Sequence, residues 1–159
     1  MLDSAMFEES VEGFIAQWRP YAADVTLFAH TEGSPLLECR AGGAIFSVLE
    51  RTGPYLAHPG PAKLILHLST EQVAESDRQE RGLEVLGPSR LSAHGLVVLR
   101  QGQMVVLDAG VPLIVGSFAP LPDTLAAGDF ATVTGLAPVH GFLLTGVARG
   151  GLVAVSSEI

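Results

Sequence analysis

Five histidines, His30, His58, His67, His94 and His140, are the side chains of this 159-residue sequence best suited to ligand binding or proton transfer. An imidazole titrates near neutral pH and is the commonest protein ligand of transition metals. No two of the five stand at H-x-H, H-x-x-x-H or H-E-x-x-H spacing, so no local metal site is encoded. Neither a metal nor another cofactor is therefore expected, and a metal site would have to be assembled from distant histidines. His94 and His140 share one feature: each precedes Gly and then an apolar run, in AHGLVVL and VHGFLLT. Two such strand entrances lying side by side would bring both rings to one small ligand. His94 and His140 are thus the candidate ligand-binding residues. The plainer expectation is that each is a polar, partly solvated residue at a strand end.

Other catalytic chemistry has little to rest on. Cys39 is the single cysteine, so no intramolecular disulfide can form. A reactive thiol needs a neighbouring base or cation, and Arg40 on the same strand would point to the opposite face. A buried, inert cysteine is expected. There is no G-x-S-x-G nucleophile elbow, no P-loop and no G-x-G-x-x-G. PGPAK (59–63) lacks the P-loop order, and TGVARGG (145–151) reads as a hairpin turn. Asp108, Asp123 and Asp129 each sit in turn chemistry. No catalytic residue can be assigned, and the balance leans away from an enzyme.

The elements that would position these residues are mostly strands. Gly95 to Gly116 holds three apolar runs, LVVL, MVVL and VPLIV, separated by RQGQ and DAG, the pattern of an antiparallel meander. Asp24 to Leu37 reads as strand, turn, strand, and KLILHL (63–68) as a strand. Further strands are expected near 130–134, 141–147 and 151–155. Phe7, Val11, Phe14, Ile15 and Trp18 recur at helical spacing, which predicts a helix over 4–19 capped by Asp3 or Ser4 and ended by Pro20. Ile45, Val48 and Leu49 suggest a short helix in Ala44–Arg51. Ser69 and Gln72 match a capping box, which predicts a short exposed helix over EQVAESDRQER. The charged stretch through Arg90 is the candidate internal boundary, near 82–91.

Composition narrows the class. Hydrophobic residues make up 48% and charged residues 16%, so the chain can build a core. The net charge of −8 opposes binding to nucleic acid phosphates and anionic lipid, and no membrane partner is expected. The N-terminus lacks a secretory pattern, which makes the cytoplasm the expected compartment. The Ala, Gly, Leu, Val and Arg bias suits a GC-rich bacterial genome. Residues 91–159 carry only six charged side chains, Arg100, Arg149, Asp108, Asp123, Asp129 and Glu158. That half must be largely buried or must present an apolar surface to a partner.

The segment LAAGDFATVTG, within several short strands over about 95–155, resembles the strand-turn-strand element of oligonucleotide-binding (OB) barrels. The resemblance implies a partly closed barrel and an oligonucleotide ligand stacked on aromatics. Phe118, Phe130 and Phe142 are present, but only two arginines accompany them. EGSPLL (32–37) and AGVPLI (109–114), 77 residues apart, together with LILHL and GFLLT at the same offset, raise the question of an internal duplication.

The sequence therefore reads as an α+β chain forming one cooperative unit over 1–159. An N-terminal amphipathic helix and mixed elements to about residue 82 precede a β-rich antiparallel meander or partly closed OB-like barrel. The expected function is a non-enzymatic interaction or assembly module, a homo-oligomer using the uncharged C-terminal β region. An OB-like nucleic-acid-binding protein is the alternative. A small-molecule binder or enzyme with a pocket near His94 and His140 is the third.

Overall fold

Strand-forming residues dominate the chain, and the computed structural model, which describes residues 7–31, 33–53 and 57–144, resolves them into a single mixed sheet. A helix, α1 (Val11–Trp18), and a 3-10 turn (Arg19–Tyr21) come first. Among the described residues nine strands follow: β1 (Ala23–Leu27), β2 (Leu36–Ala41), β3 (Ala44–Glu50), β4 (Gly60–Ser76), β5 (Gly82–Gly87), β6 (Arg90–Gln101), β7 (Met104–Asp108), β8 (Pro112–Ser117) and β9 (Phe130–Leu143). Their order in the sheet is β1-β2-β3-β9-β4-β8-β7-β6-β5, with further ladders β1–β4 and β6–β9. Strands from either side of residues 82–91 therefore alternate through one sheet.

The ladders obey a two-fold correspondence. β1, β2, β3 and β4 match β6, β7, β8 and β9. β1–β2 and β2–β3 are antiparallel, as are β6–β7 and β7–β8. β3 runs parallel to β9, and β8 runs parallel to β4. β4 and β9 pair with each other at the centre. In β1–β4, Ala23 faces Leu64 and Leu27 faces Gly60; in β6–β9, Ser92 faces Thr134 and Leu96 faces Phe130. The structural offset between halves is thus 69 to 70 residues. The 77-residue offset of the Gly-x-Pro-Leu segments pairs β2 with β8, which the topology does not relate.

The sheet has two apolar faces. Its inner face carries the main core, including Leu37, Cys39, Phe46, Val48, Leu64, Leu66, Leu68, Val105, Leu107, Leu113, Val115 and Val133. Its outer face, beside β4, β7, β8 and β9, carries Ile65, Val106, Ile114 and Phe142, covered by Phe14 and Trp18 of α1. Phe14 stacks on Phe142 with ring centroids 4.5 Å apart.

Several expectations need correction. Ala44–Arg51 is not helical; Gly42 and Gly43, at φ of +57° and +79°, make a two-residue hairpin turn that returns the chain as β3. Phe46, Val48 and Glu50 then alternate inward, a period of two that three apolar residues at helical spacing had masked. The helix expected after Ser69 is also absent. β4 continues to Ser76, because β9 supplies backbone partners as far as Phe130, and tertiary pairing overrides the capping-box signal. The charged stretch leads into β5. α1 begins at Val11, capped by Ser10, whose Oγ accepts from Gly13 N at 2.9 Å. Phe7 and Glu8 precede it, and the Asp3 or Ser4 cap lies outside the described residues, as do the strands beyond 144. The 95–116 meander is present as β6–β7–β8. Its strand β6 pairs with β9, but β4 of the first half stands between β8 and β9, so the described strands of the second half do not close a barrel on their own.

Candidate functional site

β4 and β9 meet with His67 directly opposite His140. Alternation along each strand puts Leu64, Leu66 and Leu68 inside and Ile65 and His67 outside, on the face that carries Phe142. Both imidazoles therefore point to the same side. The segment before α1 crosses this side and places Glu8 between them. His140 Nδ1 donates to Glu8 Oε2 at 2.8 Å, and His67 Nδ1 donates to the same oxygen. Arg51, just after β3, donates from Nε to Oε1 at 3.0 Å. A carboxylate only accepts, so both rings carry their proton on Nδ1.

Glu8 and His67 are buried, His140 is half-buried, and Arg51 reaches solvent with a side-chain exposure of 36%. Burial opposes ionisation of Glu8, but hydrogen bonds from His140 and His67, with their charge, outweigh it and hold the carboxyl at about 2. Burial also pushes the His67 imidazole below its ordinary value, against the bond and charge of Glu8. His67 Nε2 has no hydrogen-bond partner among the described residues, so a lone pair costs less there than an N–H. Aromatic rings close the site: Phe7 meets His67 edge-on at 5.9 Å, and Phe14 lies 5.0 Å from it. Gly116 makes room for Phe7, since a Cβ there would stand 2.7 Å from that ring.

His94 is not part of this group. It faces Thr132 across the β6–β9 ladder, eight residues before His140 on the same strand. At about 3.3 Å per residue this separates the two by roughly 26 Å. The shared His-Gly pattern reflects packing: a Cβ on Gly95 would strike the Asp108 carbonyl at 2.1 Å, and one on Gly141 would crowd Val48 at 3.1 Å. His58 is exposed, and His30 Nδ1 lies 3.1 Å from the Phe28 carbonyl oxygen. Cys39 is buried inside the sheet, its thiol pushed up to about 12 by burial and by Glu38.

Sequence reasoning thus found one member of the cluster, His140, and missed His67, Glu8 and Arg51. A signal for His67 was present. A lone polar residue inside LILHL, a run apolar on both faces, must have a buried partner. Nothing in the sequence pointed to Glu8 among its acidic neighbours.

A second feature lies at the edge of the sheet. Among the described residues β5 pairs only with β6, and Glu84, Val85 and Leu86 are all exposed, the two apolar residues at 43% each. Among the described residues, Gly82–Gly87 make no backbone hydrogen bond on the other side. No described helix is long and apolar enough to cross a membrane. The sequence matches no protein-family model and no curated protein.

Proposed function

We propose that the protein is a non-enzymatic assembly module that forms a homo-oligomer through β5. The observation that carries this reading is the open edge of β5, with exposed Val85 and Leu86 and no lysine or proline to deter pairing. The surface differs from the one composition suggested, because the uncharged strands β7 and β8 spend their apolar residues inside the fold. A second copy of the chain is the occupant that suits the edge. In antiparallel self-pairing with Val85 on the two-fold axis, Val85 faces its own copy and Leu86 faces Glu84 of the second copy. That register keeps the two carboxylates from standing directly opposite each other, which would be unfavourable.

Sedimentation equilibrium tests the reading. A dimer, twice the 16.6 kDa chain mass, is expected at micromolar concentration. Val85→Lys should leave a folded monomer. A wild-type species of 16.6 kDa across the whole concentration range would overturn the proposal.

A further inference from the structure

We infer that Glu8, His67 and His140 form a binding site for one divalent transition-metal ion of the zinc class, with Glu8 Oε2 and the two Nδ1 atoms as protein ligands. One donor atom from each residue lies within 4.8 Å of the other two. Two imidazoles and a carboxylate are the donors that zinc takes in sites with a position left open for a further ligand. The same set is too nitrogen-rich to favour magnesium or calcium.

The site is assembled from segments 59 and 132 residues apart in sequence. The sheet nevertheless fixes it, because the His67–His140 register places both rings on one face of neighbouring strands. Arg51 holds Oε1, which turns Oε2 toward the imidazoles, the kind of outer support that orients a ligating carboxylate. Access is from the side of His140 and Arg51, the two members not fully buried. Arg51 is also the cationic neighbour that opposes a second cation, and its partial exposure lets solvent take up part of that charge.

Each ring that ligates through Nδ1 carries its hydrogen on Nε2; at His67 the N–H so formed has no partner among the described residues, a cost that the bond to the ion must exceed. Tetrahedral ligand atoms around an ion with bonds of about 2.1 Å stand roughly 3.4 Å apart. The carboxylate and rings therefore separate slightly as the ion replaces two N–H···O bonds. Remaining positions fall to water or an external ligand.

Cobalt(II) titration of metal-stripped protein tests this, because four-coordinate cobalt absorbs strongly in the visible and zinc displaces it silently. One equivalent should saturate the absorption, zinc should abolish it, and zinc should raise the melting temperature. Glu8→Gln and His140→Gln should each weaken binding by at least about tenfold. His58→Gln and His94→Gln should leave it unchanged. Folded wild-type protein that gives no saturable cobalt absorption and no zinc-dependent shift in melting would overturn the inference, whatever the variants do. So would a folded His140→Gln that saturates at the same cobalt concentration as wild type.

Discussion

The two halves of the sheet share a topology and differ in what covers them. In the first half, β2 alternates exposed and buried residues without exception, and β3 follows with Phe46, Val48 and Glu50 inside. In the second half, β7 and β8 are buried on consecutive residues: Val105, Val106, Leu107, and then Leu113 through Ser117. The difference is α1 and the segment before it, which lie on the outer face of β7 and β8 and have no counterpart over β2 and β3 among the described residues. A strand covered on one side needs polar residues at every second position, and a strand covered on both sides does not. The scarcity of charge on β7 and β8 is therefore accounted for by the chain's own N-terminal segment, which covers their outer face.

A matched pair of truncations probes this contrast most strongly. Ile114 is fully buried under α1, whereas Ile45 on β3 is 44% exposed. Ile114→Ala should cost about 2–5 kcal/mol in urea unfolding, the usual range for a buried isoleucine. Ile45→Ala should cost less than about 1 kcal/mol. Equal losses would mean that the outer face of the first half is covered as well, and the comparison would fail.

The same contrast explains what the sequence made legible. The meander over β6–β8 was readable because apolar runs and glycine turns alternate within a short span. The hairpin β1–β2 was readable for the same reason. β3 and the far end of β4 were not, because their strand character depends on partners distant in sequence: β2 across a Gly-Gly turn, and β9 some sixty residues on. The site was half-legible. His140 stood out by its setting, but its partners are set by the β4–β9 register and by a crossing segment, neither of which spacing along the chain encodes.

Glu8 ties that crossing segment to the sheet, so neutralising it should separate the two halves again. Glu8→Gln removes a charge that accepts from two imidazoles and one guanidinium. A loss of about 1–3 kcal/mol is expected. Glu38→Gln, on the exposed side of β2, should fall within about 0.5 kcal/mol of wild type. A comparable loss in both would show that the ties of Glu8 are worth no more than a surface charge.

Acid should act on the same covered region. His67 is held below 6.5 when folded, so the unfolded chain takes up a proton first. Its contribution is complete above that value and declines as pH falls through it. Glu8 is lowered from 4.5 to about 2, so its contribution is present above 4.5 and is lost between those values. Both effects have one sign. Metal-free wild-type protein should lose stability in two stages on acidification, and Glu8→Gln should lack the lower stage. A wild-type profile flat from pH 7 to 5 would count against the buried imidazole.

The smallest effect concerns Cys39 and checks the first half directly. Its place on β2 follows from alternation: Leu37, Cys39 and Ala41 point in, and Leu36, Glu38 and Arg40 point out. A slip of one residue would reverse every member of that set. The thiol would then face solvent, and Glu38 and Arg40 would be driven into an apolar core. In the register described, Cys39 is fully buried and its thiol is pushed up to about 12, so little thiolate exists at neutral pH. Reaction with a disulfide reagent should therefore require opening of the sheet. Native protein should react more than about a thousandfold slower than protein in urea, since a typical domain resists opening by about 5 kcal/mol or more. Rapid labelling of the native protein at pH 7 would place the thiol outside and undo the alternation on which the contrast between the halves rests.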